Sequence, residues 1–341
     1  MAAAGTVRAG LSVAGARAVE EMIRSHRLRP VELVPWALAA AAYFVFPGYL
    51  PLGSQILIMI LFALSLDLVL GYAGIVTLGH AAFFGVGAYA AGIYAIHVGG
   101  EPLSGLVVGA LAAAVTGLVS GLILFRTQGL TLLMLTLAVV ALLNDIANKA
   151  TFLTGGADGL QGIAMRPLLG LFEFDVFGRT AYVYCLAVLF LVWLFARTLI
   201  HSPFGRSLNG IRENLSRMHA IGSPVARRWL TIYTLAAAMA GLAGALLAQT
   251  TQFVGLTVLS FERSGEIMIM LVFGGIGRLY GAFVGATAYM IAQDELARLD
   301  PVFWSFWIGL LLVLITMFAR GGILGLLDRA RHALRRRRAR P

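Results

Sequence analysis

Repeated apolar runs constrain this chain more than any other feature. Candidate runs fall at about 31–46, 54–70, 71–92 (its first part a Gly-rich turn), 103–125, 130–147, 181–196, 230–250, 264–274, 279–292 and 302–319. Several approach the roughly 17–25 residues that a helix needs to cross a bilayer. Only 12% of the 341 residues are charged and 60% are hydrophobic. A soluble domain carries about 25% charged residues, so this chain has too little polar surface to dissolve as a globule. The expected fold is all-α: a polytopic transmembrane helix bundle of about ten membrane segments, because a spanning segment must satisfy its backbone internally.

The net charge of +10 comes with its arginines gathered in tails and loops. If the N-terminal tail is placed inside and ten segments alternate, 21 of the 26 basic residues fall on the inner side. The outer loops keep Lys149, Arg166, Arg179, Arg263 and Arg298, together with most acids, including Glu101, Asp158, Glu173 and Asp175. This bias puts both termini in the cytoplasm. It also explains the charge without nucleic acid, which is not expected as a partner. The expected organisation is a cytoplasmic tail over 1–30, with a surface helix between Ala14 and Arg27. A membrane domain follows over 31–320, and then a basic tail over 321–341 that includes Arg335–Arg338. Within the membrane domain, residues 148–180 form an extracytoplasmic loop and 197–229 a cytoplasmic one.

One polar island stands out, SPFGRSLNGIRENLSRMHAIG, Ser202 to Gly222. A turn signal, Ser202-Pro203, opens it. Leu208, Ile211, Leu215 and Met218 recur at helical spacing, with Arg206, Arg212, Glu213 and Arg217 largely off that stripe. An amphipathic helix on the basic side of the membrane suits a partner protein. An ordinary positive loop is the plainer alternative.

Other features narrow the chemistry. The single cysteine, Cys185, offers neither an intrachain disulfide nor a metal cluster. The single lysine, Lys149, follows Asn148, so no Gly-Lys-Ser/Thr phosphate loop exists. No nucleophile–base pair is suggested, so the chain is not expected to be an enzyme. Asp67, His80, Asn144, Asp145 and Glu266 are polar residues in or at the ends of apolar runs. Such residues line pathways or make interhelical hydrogen bonds. Gly277, Gly281 and Gly285 read as a GxxxGxxxG ladder beside the break at Gly274-Gly275. A short, interrupted pair of segments marks a gate or a tight packing hairpin. Small-residue seams are expected through Ala81, Gly85, Ala88 and Gly92, and through Ala237, Gly241, Ala245 and Ala248.

Five stretches in order resemble the permease subunits of ABC importers for branched-chain amino acids, of the LivM/LivH type and closer to LivM. They are GYAGIVTLGHAAFFGVGAY (Gly71–Tyr89), LTLA (Leu135–Ala138) with TGGADGL (Thr154–Leu160), SPFGRSLNGIREN (Ser202–Asn214) with Gly222, the small-residue run Met239–Leu246, and Glu266–Ala286. The region of resemblance covers roughly Leu33 to Leu326. The resemblance implies an ATP-driven importer in the bacterial inner membrane. Its partners are a sister permease subunit, two cytoplasmic ABC ATPases and a periplasmic or lipid-anchored substrate-binding protein. No cofactor is implied in this chain; ATP and magnesium sit on the partners. Arg206, Leu208, Ile211, Arg212, Glu213, Asn214, Leu215, Met218 and Gly222 become the ATPase-coupling residues. Ser216, His219 and Ser223-Pro224 depart from the family's small-residue pattern, which bears on the choice of ATPase pair. The implied cargo is leucine, isoleucine and valine, with urea or short amides as the alternative. A secondary transporter, the main rival class, needs no docking helix.

Overall fold

The computed structural model describes residues 30–329, apart from 128, 169, 171, 174, 176–177, 319–320 and 327–328. The expected Ala14–Arg27 helix and the Arg335–Arg338 run lie outside the described residues. Among the described residues the protein is helical, and the only β pairing is two isolated bridges, Leu160 with Val254 and Leu168 with Phe172.

Each of the ten apolar runs carries a helix. These are α1 (Val34–Val45), α2 (Leu50–Asp67), α3 (His80–His97), α4 (Pro102–Leu124), α5 (Leu130–Lys149) and α6 (Arg179–His201). Two short helices follow, α7 (Pro203–Glu213) and α8 (Leu215–Ala220). Then come α9 (Val225–Thr251), α10 (Phe261–Gly274), α11 (Gly281–Leu299) and α12 (Trp304–Phe318). Among the described residues, five segments are long and apolar enough to cross a membrane: Pro47–Tyr72, which contains α2, and the helices α4, α5, α6 and α9.

α2 forms the centre of the bundle. It is apolar all round, and every residue from Leu57 to Asp67 is buried. A helix with no polar face belongs in the middle of a bundle. Beyond Asp67 the chain winds on as a π-turn, Leu68–Tyr72. α3, α4 and α9 pack together through residues without bulk. Lipid tails are as apolar as leucine, so close fit rather than apolar burial holds such helices together. Gly87, Gly109 and Gly241 bring the three backbones into contact. A Cβ on Gly109 would stand 2.8 Å from both the Gly87 carbonyl oxygen and the Ala245 Cβ.

The seam expected on α9 therefore faces α4: Gly117 meets Ala237, and Gly109 meets Ala245. The seam expected on α3 is only partly a helix–helix face. Ala88 meets Gly244 of α9, but Gly85 rests on Leu259, and Gly92 rests on Leu160 and Ile163. Another close α3–α9 approach uses Gly87, which lies off that seam and meets Gly241. The glycine ladder is also corrected. Gly277 has φ +75° and sits in the turn between α10 and α11, so it is not on the α11 face. Gly281 and Gly285 carry the contact with Gly274 and the Met270 carbonyl of α10.

Candidate functional site

The Ser202–Gly222 island is built from its caps. α6 ends at His201, and the Ser202 hydroxyl accepts the Gly205 N–H at 3.3 Å. Pro203 takes the first helical position, where its missing N–H costs nothing. A Cβ on Gly205 would collide with the Ile200 carbonyl, so glycine permits the tight reversal into α7. The single helix expected here is in fact two. Asn214 leaves helical geometry, with φ −156° and ψ 97°, and its Oδ1 accepts the Arg217 N–H at 2.9 Å. An asparagine that caps its own following turn stops α7 and starts α8. Gly222, at φ +75°, ends the hairpin.

This break divides the expected stripe. Leu208 and Ile211 are buried in the chain's own core, at 1% and 3% exposure, so they anchor α7 to the bundle and are not free docking anchors. Leu215 and Met218 are half-buried, and Met218 folds back toward Gly210. Arg206, Glu213, Asn214, Ser216, Arg217 and His219 form the exposed face. Ile221, 70% exposed at the tip, is an apolar contact that the stripe did not reveal, because it falls out of register with the stripe. Arg212 is exposed with them, but its guanidinium is also tied to the bundle. Its Nη1 reaches inward and donates to the Gly71 carbonyl oxygen.

The intramembrane candidates separate into distinct environments. Asp67 is fully buried, and its Oδ1 accepts the Gly277 N–H at 2.7 Å across 210 positions of sequence. A hydrogen bond of 2.8 Å joins His80 Nε2 and Ser65 Oγ, and the ring stacks on Phe62 with centroids 5.6 Å apart. Asn144 donates to the Leu256 carbonyl at 3.3 Å. Asp145 pairs with Lys149 at 2.8 Å on an exposed helix end. Glu266 pairs with Arg263, also at 2.8 Å, where both are half-buried. Of the sequence candidates, only Asp67, Gly277 and Arg212 are brought to one place. Among the described residues no cluster of three or more His, Cys, Asp or Glu could hold a metal ion.

Beside this place, under α7, lies a largely apolar cavity of about 490 Å³, with Gly74, Leu132, Ile211, Arg212, Leu215 and Trp229 in its wall. It separates the α7–α8 hairpin from the start of α5.

A polytopic helix bundle that carries an amphipathic hairpin on one side, tied to its own core, defines a multi-pass membrane permease. The chain belongs to the family described as branched-chain amino acid transport system / permease component, which matches residues 50–319. It is 27% identical to the high-affinity branched-chain amino acid transport permease LivM of Escherichia coli K12, over 83% of this chain and 71% of that one. It is 25% identical to a probable LivM of Methanocaldococcus jannaschii, over 77% of this chain and 89% of that one. An autoinducer 2 import permease, LsrC, of Enterobacter sp. 638 is 31% identical over 46% of this chain and 47% of its own. No solved structure matches the chain. The protein is thus the membrane permease component of an ABC importer, of the LivM type.

Proposed function

We propose that the chain moves leucine, isoleucine and valine inward across the bacterial inner membrane, in a complex with a sister permease subunit. A periplasmic or lipid-anchored binding protein delivers the amino acid to the outer face. Two cytoplasmic ATPases hold ATP and magnesium, and their closure moves the α7–α8 hairpin. All ten apolar segments serve the membrane domain, with both termini on the cytoplasmic side. The chain itself does no bond chemistry; it converts motion into alternating access.

The observation that carries this reading is the exposed Arg206–Glu213–Arg217 face of the hairpin, in a chain whose family match spans most of its length. A helix presented on a membrane protein's basic side fits a groove on a soluble partner. The test is uptake into vesicles that hold the permease pair, both ATPases and the binding protein. Radiolabelled leucine should accumulate only with ATP and binding protein, and isoleucine and valine should compete. Competition by urea or short amides alone would reassign the cargo. Uptake driven by an ion gradient without ATP would overturn the importer assembly.

A further inference from the structure

α7 rests on the bundle through Leu208 and Ile211, but apolar contacts of that kind slide. The directional link is Arg212, and it ends on a carbonyl that the local winding leaves free. In a continuing α-helix the Ile75 N–H would take the Gly71 carbonyl. Here, past the π-turn, the Ile75 N–H goes instead to the Val69 carbonyl at 3.0 Å, while the Ala73 N–H goes to Leu68 at 3.2 Å. The Gly71 carbonyl is released from the ladder, and Arg212 takes it. π-turns concentrate at functional positions because they free such groups.

The α10–α11 turn reaches the same point from another direction. Gly277 adopts φ +75° and aims its N–H at Asp67 Oδ1. The approach is so close that a Cβ on Gly71 would lie 2.6 Å from the Gly277 nitrogen, and a Cβ on Gly277 would lie 2.8 Å from Arg212 Nη1. Three elements distant in sequence, α7, the end of α2 and the α10–α11 turn, therefore touch at one point. The other carboxylate oxygen, Asp67 Oδ2, is buried with no hydrogen-bond partner among the described residues. A buried acceptor left open is costly unless another arrangement fills it.

We propose that Arg212, Asp67 and the Gly277 peptide form a transmission junction in which Arg212 is the positioning residue that carries α7 movement to the α10–α11 hairpin. In the arrangement seen here the guanidinium holds the Gly71 carbonyl. When α7 shifts, the guanidinium exchanges that carbonyl for Asp67 Oδ2, and the strengthened pair draws on the Gly277 turn. Two discrete partners for one side chain give the junction two states, which coupling between distant sites requires. The proposal rests on the coupling role assigned to the hairpin above.

The experiment measures leucine uptake and ATP hydrolysis in the same vesicles, with the assembled importer. Asp67→Asn, which lies off the hairpin, should leave the ATPases bound and hydrolysing ATP, and uptake by Arg212→Ala is normalised to the ATPase that it retains. Leucine moved per ATP should fall about tenfold, the scale of losing one charge-assisted hydrogen bond. Arg212→Lys, which keeps charge and donor, should recover part of the loss. The double variant should be no worse than either single one, because both act through one contact. Wild-type leucine-per-ATP ratios in both single variants would overturn the proposal, as would deficits that multiply or uptake that merely tracks the amount of assembled complex. If Asp67→Asn fails to assemble, the Arg212 pair of variants on the surface helix decides alone. A wild-type chain that never brings down ATPases would sink the coupling reading itself and the junction's role in transport with it.

Discussion

His80 makes an interhelical hydrogen bond, one of the two readings, with pathway lining, that the sequence leaves open. An isolated histidine in an apolar run is a candidate for a pathway, yet here it is enclosed and bonded to Ser65, which also donates to the Phe62 carbonyl at 2.6 Å. It behaves as an interhelical tie. Ser65→Ala should strand the buried imidazole and cost about 1–3 kcal/mol, read as a lowered unfolding midpoint in detergent. Adding His80→Phe should restore most of that loss, since an apolar pair needs no partner. A double variant no more stable than Ser65→Ala would speak against the tie. Asn214 is the second telling residue. Asn214→Ala removes the α8 cap and should cost about 1 kcal/mol of local helix stability, seen as faster hydrogen exchange over 215–220. Both roles lie in partners at other positions, so the residue type alone could not show them.

At the scale of elements, the amphipathic stripe gave a helix in the right place but the wrong continuity. Leu208, Ile211, Leu215 and Met218 keep helical spacing across Asn214, so periodicity cannot see a backbone that turns away at one residue. Glu213 and Arg217 remain outward, and Glu213→Ala should weaken ATPase co-purification while the permease still inserts. Unchanged recovery of the ATPases would remove Glu213 from the contact. The glycine ladder failed for a related reason. Its spacing of four is helical, but Gly274-Gly275 ends α10, and Gly277 serves a turn of positive φ rather than the α11 face. Gly285→Leu should push α11 off the Met270 carbonyl and lose assembled complex, because overpacking a close helix contact forces the backbone to move. Normal assembly and uptake in that variant would place the contact elsewhere.

For the whole molecule, the all-helical architecture and its order were legible, because each apolar run is long and bounded by turn residues. The seam on α9 was legible too, since Ala237, Gly241 and Ala245 fall on one face at helical spacing and that face meets α4. What stayed hidden is which helix sits in the middle. α2 and α5 have similar apolar character, yet α2 is enclosed and α5 is mostly exposed. Composition cannot separate burial against protein from exposure toward lipid or a second subunit. The site was legible only in outline, as residues 202–222; the meeting of Arg212 with residues near 71 and 277 depends on tertiary contacts. The arginine distribution is the ground for proposing both termini on one side. Reporter fusions at each end, active only in the cytoplasm, should both score positive. A negative result at the C-terminus would reduce the number of crossings by one or add one.

The turn between α10 and α11 collects contacts from both ends of the chain. Asp67 holds Gly277, Tyr280 donates to the Glu32 carbonyl at 2.9 Å, and a Cβ on Gly275 would meet the Gly321 carbonyl. A ribosome making this protein from the N-terminus delivers Asp67 to the membrane long before it makes residue 277, and residue 321 comes later still. During that interval the carboxyl group waits in a half-built bundle without the peptide that will satisfy it. The contacts of the α10–α11 turn can therefore form only near the end of synthesis. A chain cut short before residue 277 lacks the peptide whose N–H Asp67 Oδ1 accepts.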